Sequence, residues 1–534
     1  MKKMVFGVIF VALSGLILSN WRVSEASAQA WQTHSAGRVS VHDPSITSIV
    51  KDGKETFYIF GSHLAQAKTI NFQTWDIPFT TEYENPSNNL MLGNLKENLK
   101  ESFKWAGYDD ANSKGGYAIW APDVIWNEKY EWSNGDKGAY MYYYSTSSTW
   151  RRSCIGYAVS KTIEGPYTYG NTIVYSGFTE KDSTDGSTRN TNYQNTNVSQ
   201  LINNGKVSGY SQNWSKDNGL TYNTDYAPNA IDPALFHDQN GKLWMTYGSW
   251  SGGIFLLEID QKTGNPIYPG KDSVKTSGQP IDRYFGVKLA GGYHQSGEGP
   301  FIVYDRSVGY YYLFETYGGL FADGGYNMRL FRSKNPDGPY VDANGNTPIF
   351  TKDSINSNYG VKVMGNYQFE QLSTAYKAQG HNSAIISQNG QWYLAYHTRF
   401  NTGAENHEVR IHTMYMNEAG WPVVTPYEYR KGESRTVAAS EIAGSYQFIQ
   451  HGTDNGTTVL PTKTIQLTAD GKITGAINGT WKQTSARSGI QLLINGVTYT
   501  GILTKQNDES ANAKIVVTFS AIGNNNETIW GSKK

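Results

Sequence analysis

The chain has 534 residues, and Lys plus Arg balance Asp plus Glu at 46 each. That balance removes the electrostatic case for a nucleic-acid or membrane-surface partner. A single cysteine, Cys154, excludes an internal disulfide and any C-x-x-C metal motif. Aromatic residues make up 14% of the chain, which suits sugar stacking and aromatic-rich β-strands equally.

Residues 1–30 read as a secretory signal. Lys2 and Lys3 precede an apolar run over 4–18, and Ala26-Ser27-Ala28 and Ala28-Gln29-Ala30 both fit small-residue cleavage. No other long apolar run follows, so the mature protein is expected to be extracellular, free of the membrane and monomeric.

From residue 42 a short phrase recurs: His42-Asp43-Pro44-Ser45, Trp120-Ala121-Pro122-Asp123, Ile231-Asp232-Pro233-Ala234, Glu298-Gly299-Pro300-Phe301 and His381-Asn382-Ser383-Ala384. Each copy leads into an alternating apolar run, a polar turn and an aromatic-rich run. Repeated strand, turn and strand units at long spacing predict propeller blades. The first covers residues 41–79, with strands over 45–50 and 56–61 joined by Asp52-Gly53. Residues 81–116 read as a polar insertion. In the second blade, which starts at Trp120, Cys154 lies on a strand as a buried, inert thiol. Glu164-Gly165-Pro166 mimics the phrase but follows a strand, so Glu164 reads as an outer turn residue.

Residues 178–228 are rich in Asn, Thr, Ser and Asp. So long a loop predicts a functional lid or a disordered segment. Blades three, four and five are expected over 229–270, 296–350 and 380–425, with a polar insertion at 351–379. From residue 440 the blade pattern gives way to short alternating strands with glycine-rich turns, read as a separate antiparallel barrel or sandwich over 440–534. The fold class is all-β, with residues 31–430 as the propeller.

Equivalent strand ends of a propeller meet around its axis. Three carboxylates, Asp43, Asp232 and Glu298, and up to two imidazoles therefore converge. Breaking a glycosidic bond needs one protonated carboxyl for the leaving oxygen and one carboxylate to activate water, and a third can tune the acid. Glu298 has the reach of an acid, and Asp43 or Asp232 would be the base. Trp120 is either a core aromatic or a sugar-stacking face. His381 could be a core histidine or a metal ligand, although one imidazole with waters suits a hard cation poorly on ligand type.

The set of phrases, with Asn229-Ala230-Ile231-Asp232-Pro233 and Gly380-His381-Asn382, resembles the blade motifs of glycoside hydrolase family 43. The likeness is greatest to its endo-α-1,5-L-arabinanases with a C-terminal β domain, and it covers about residues 38–430. It implies a five-bladed propeller and inverting hydrolysis of arabinan, a neutral plant polysaccharide, with Asp43 as base, Glu298 as acid and Asp232 as the residue tuning its pKa. It also implies a central calcium ion on His381 and sugar contacts at Asp43, Trp120, Gly156, Asn229, Ala230, Ile231, Asp232, Ser249, Trp250 and Ser251. An exo-acting arabinofuranosidase, a β-xylosidase and a non-catalytic glycan-binding propeller are the competing expectations.

Overall fold

The computed structural model describes residues 34–78, 89–108, 118–149, 152–484 and 488–534. The signal expected over 1–30 lies outside them. The fold is all-β and propeller-like. Five antiparallel sheets have innermost strands Ser45–Lys51, Ile119–Glu131, Ala234–His237, Glu298–Asp305 and Tyr376–Ile386. Each inner strand neighbours the next, and the fifth returns to the first, closing a circuit. The third sheet is larger than expected: its fourth strand is Gly286–Ala290, carried on past residue 270.

One backbone feature repeats at each inner strand. Asp43, Ala121, Asp232, Gly299 and His381 all adopt left-handed φ, at 55°, 32°, 59°, 58° and 48°. In three sheets the pairing shows the accompanying bulge. Trp120 pairs with Ser145 and then Asp123 with Tyr143; Glu298 pairs with Thr316 and then Phe301 with Phe314; Gly380 pairs with His397 and then Ser383 with Ala395. Such bulges re-aim side chains. The equivalence corrects the fifth phrase by one residue. His381, not Asn382, matches Asp43 and Asp232; Gly380 matches Glu298; and Asn382 stands where the other four have proline.

The N–H of each left-handed residue is clamped by a neighbouring sheet. Ala121 donates to Ser62 Oγ (2.8 Å), Asp232 to Ser145 Oγ (3.1 Å), His381 to Thr316 Oγ1 (2.9 Å) and Asp43 to His397 Nδ1 (3.2 Å). Ser62, Ser145, Thr316 and His397 sit at matching ends of second strands. The matching residue of the third sheet is Gly248, which has no acceptor and whose added Cβ would meet Gly253 O at 2.4 Å. Gly299 N–H donates instead to Asp232 Oδ2, at 3.1 Å. Farther along the axis, Asp123 accepts from Ser45 Oγ, from Val124 N at 2.9 Å and from Leu235 N at 2.6 Å, joining the first three sheets.

Residues 178–228 form neither a lid nor a structureless loop. Helix Asn197–Asn203 and the hairpin Ser215–Lys216 with Thr221–Tyr222 pack around buried Phe178 and Trp214. Aromatic contacts supply most of this packing, with Val198 and Leu201 beside them. Of the region read as an insertion, residues 89–108 also fold, burying Leu95, Phe103 and Trp105.

The last eight strands, from Gly444–Gln450 to Thr528–Lys533, close into a barrel. It is not separate from the sheets before it. Ile449, Ile502, Val516, Ile522 and Trp530 share one buried cluster with Tyr367, Trp392, Trp421 and Tyr427. Arg329, fully buried in the fourth sheet, donates to Thr453 O (2.6 Å) and Asn455 Oδ1 (2.8 Å) of the barrel segment.

Candidate active site

Most of the left-handed residues and those preceding them open onto one cavity of about 660 Å³. Asp43, Trp120, Asn229, Ile231, Asp232, Ser249, Trp250, Glu298 and His381 line it, joined by His42, Ser62, Phe321, Arg399 and His407. Three expected contacts lie elsewhere. Gly156 is buried in the third strand of the second sheet, where an added Cβ would meet Tyr144 Oη at 2.6 Å. Ala230 is buried behind the wall with its N–H on Ser176 Oγ (2.9 Å). Ser251 is buried, its carbonyl accepting from His294 N (2.9 Å). Cys154 and Glu164 are as expected. The thiol is buried, which pushes it up to about 12, and Glu164 accepts from Lys68 Nζ (2.7 Å) and Tyr58 Oη (3.0 Å).

Asp43 is enclosed by imidazoles. Its Oδ1 lies 2.8 Å from His42 Nδ1 and 3.0 Å from His381 Nδ1, and its Oδ2 accepts from Ser62 Oγ at 2.5 Å. Burial raises its pKa, but His381 and His42 outweigh burial and bring it well below the ordinary value. Asp43 is therefore ionised at neutral pH.

Glu298 is held by three donors: Tyr326 Oη at 2.6 Å on Oε1, and Trp250 Nε1 at 2.9 Å and Ser249 Oγ at 3.3 Å on Oε2. Tyr326 also lies 3.5 Å from His381 Nδ1. Contacts of 3.0, 3.5 and 2.6 Å thus link Asp43 to Glu298 through His381 and Tyr326. That chain caps the separation of the two carboxylates at about 9 Å, below the upper end of the roughly 6.5–9.5 Å range of inverting glycosidases.

Asp232 is raised to about 7, first by burial and then by the charges of Glu298 and Asp43, against the lowering effect of His381 and the Gly299 N–H. Asp232 therefore changes its charge near neutral pH.

Two glycines make room for this packing. A Cβ at Gly380 would meet the Tyr326 ring at 2.3 Å, and one at Gly299 would meet the His381 ring at 2.9 Å. Tyr326 was not anticipated from the sequence. It belongs to no phrase, and its one signal was glycine at 380 in the column that holds His42, Trp120, Ile231 and Glu298.

Two groupings have metal-ligand chemistry. His42, Asp43 and His397 bring ligand atoms within 4.8 Å of one another, but His42 Nδ1 already contacts Asp43, and His397 Nδ1 accepts from Asp43 N. His381 fits better as a ligand. Its Nδ1 is fixed against Asp43, and its Nε2 has no hydrogen-bonding partner among the described residues. This is how metal-ligating histidines are oriented by a carboxylate.

With this geometry in hand, the chain can be set beside known proteins. Residues 188–422 match the model of glycosyl hydrolases family 43, and residues 426–531 match the C-terminal lipocalin-like domain found with it. The chain is 39% identical over 507 residues to extracellular endo-α-(1→5)-L-arabinanase 2 of Bacillus subtilis, covering 93% of each chain. The chain belongs to glycoside hydrolase family 43. A second family 43 relative, the extracellular endo-α-(1→5)-L-arabinanase of Thermotoga petrophila, is 35% identical over 535 residues, 98% of each chain. The crystal structure of the endo-1,5-α-L-arabinanase from Thermotoga petrophila superposes with a TM-score of 0.75 at 35% identity, covering 93% of this chain and 99% of that one. An extracellular exo-α-(1→5)-L-arabinofuranosidase of Cellvibrio japonicus, by contrast, matches 38% of this chain at 30% identity. No helix among the described residues is long and apolar enough to cross a membrane.

Proposed function

We propose that this family 43 enzyme hydrolyses α-1,5-L-arabinofuranosidic bonds within arabinan, with inversion. One observation carries the reading. Three acids at the starts of three inner strands meet in one cavity, in a chain that aligns nearly end to end with endo-arabinanases. Asp43, held ionised, is the base that takes a proton from the attacking water. Glu298 protonates the leaving oxygen and becomes anionic as it does so. The Tyr326, Trp250 and Ser249 donors then stabilise the carboxylate that forms. Asp232, beside the acid, is the tuning residue: its negative charge favours the protonated form of Glu298. Trp120, Trp250 and the exposed Phe321 at the rim offer faces for furanose rings.

His381 is read as the ligand of a calcium ion through Nε2. An ion held there would supply a fixed positive charge to the His381–Asp43 pair. The five sheets are read as a five-bladed propeller, supported by the five left-handed inner residues and the closed circuit of strands. Residues 31–430 form the catalytic part and 440–534 the barrel part. Secretion, directed by residues 1–30, follows the extracellular naming of both full-length relatives.

The deciding test is reducing-sugar release from debranched arabinan, with product sizes read by chromatography. Early mixed oligosaccharides support endo action. Arabinose alone from the first minutes, or no release at all, overturns the reading.

A further inference from the structure

A second cavity, of about 380 Å³, lies beside the third sheet. Asp225, Tyr226, Asp282, Lys288, Tyr293 and Phe350 are among its walls. Lys288 is 8% exposed, and its amine has no hydrogen-bonding or ionic partner among the described residues. The buried carboxylate of the wall is engaged already: Asp282 accepts from Trp214 Nε1 (2.7 Å), Tyr226 Oη (3.1 Å), Tyr284 N (2.8 Å) and Phe285 N (2.9 Å). Burial alone accounts for the lowering of the lysine to about 8, with no carboxylate offsetting it. A buried, unpaired amine is costly, and its cost is relieved when an anion arrives.

The surroundings are preformed. Gly292, at φ 124°, leaves the space above the amine open, since an added Cβ would lie 2.5 Å from Lys288 Nζ. Gly291 donates to Pro348 O (2.7 Å) and accepts from Phe350 N (3.1 Å), fixing the wall on that side. Tyr226, Tyr293 and Phe350 add aromatic faces, and Tyr293 is 43% exposed at the mouth. The cavity is distinct from the reactive one. The two share no lining residue.

We propose that this cavity is a second carbohydrate site, binding a sugar that bears a carboxylate, a uronic-acid unit, through Lys288. One buried cation calls for one negative charge. Asp225 and Asp282 in the lining disfavour a dianion such as phosphate more than a single carboxylate. The aromatic faces suit a pyranose ring. The proposal rests on the reading of the protein as a glycan-active enzyme, but not on the identity of the bond it cleaves.

The test uses the full chain and calorimetric titration with digalacturonic acid, with neutral galactobiose and inorganic phosphate as controls. Saturable binding of digalacturonate and much weaker binding of both controls are expected. Lys288→Met should weaken binding roughly ten- to a hundredfold, the loss of one charge-assisted contact, leave arabinan hydrolysis unchanged and not lower Tm. Tyr293→Ala, at the exposed mouth, should weaken binding about two- to tenfold with the fold intact, and decides the matter if Lys288→Met does not fold. No binding by the wild type, equal binding of galactobiose or phosphate, or undiminished binding by these variants overturns the proposal. Arabinan hydrolysis in the same preparations keeps the two sites apart: if it persists without uronate binding, only the second site falls.

Discussion

Tyr326→Phe removes one hydroxyl from a fully buried ring and leaves the ring packed against Gly380. The lost contact is the 2.6 Å hydrogen bond to Glu298 Oε1. A hydrogen bond to a charged group contributes roughly 1.5–3 kcal/mol, and about 1.4 kcal/mol corresponds to tenfold in rate. Glu298 gains its negative charge only as the proton leaves it, so the donor matters more in the transition state than in the bound complex. The deficit should fall on kcat, at roughly 10–150-fold, with KM little changed. Without this donor to its ionised form, the acid also holds its proton to higher pH, so the basic limb of the pH–rate profile moves upward. Initial rates on debranched arabinan, taken as full saturation curves at several pH values, measure both effects. A kcat within about twofold of wild type, or a loss lying wholly in KM, refutes the role given to Tyr326.

Asp232→Asn should move the basic limb the other way, to lower pH, because a negative neighbour of the acid is gone; a limb that stays in place counts against the tuning role. The same variant tests linkage. A folded-state value of about 7 against the ordinary 3.8 means the native state holds an extra proton between them, so Asp232 makes stability fall as pH rises from about 4 to about 7 and level off above, by at most roughly 4 kcal/mol. Denaturant midpoints of the variant should lack that fall. Chelation should lower the activity or Tm of the wild type, and His381→Ala should abolish the response. Indifference to chelator with no calcium found by elemental analysis removes the calcium reading. Truncation near residue 435 should yield an insoluble or strongly destabilised fragment. It strips five buried barrel side chains, each contributing roughly 1.5–3 kcal/mol, from the cluster around Tyr367 and Trp392, a sum comparable to the whole stability of a typical domain. A soluble fragment with unchanged Tm would refute the shared core.

The blades were legible because strand, turn and strand units leave a period-2 pattern around Asp-Gly and Asn-Gly turns, and the acids because the phrase repeats around them. The register of the fifth phrase was not. Pro44, Pro122, Pro233 and Pro300 invite alignment on proline, and only the backbone of His381 reveals that Asn382 occupies that place. Tyr326 was hidden because it enters from the start of a third strand, outside any repeat. The shared core was hidden because Ile449, Ile502 and Trp530 alternate as barrel residues do, and alternation does not say whether the outer face meets water or another sheet.

Each of the five sheets is built from one continuous stretch of chain, so the ring has a seam where the first meets the last. It is joined by Ser383 Oγ on Pro44 O (2.6 Å), Ile46 N on Ser383 Oγ (2.9 Å) and Val409 N on Val39 O (2.9 Å). The cluster of Asp43, His42, His381 and His397 straddles it. The consequence is one of timing. A chain emerging from the ribosome carries Asp43 early but cannot assemble its surroundings until His381 and His397 have been made, more than 300 positions later. Domains fold as units during synthesis at roughly 5–20 residues per second, so every partial chain lacking the final sheet holds Asp43 without the imidazoles of His381 and His397, however well its earlier sheets have formed.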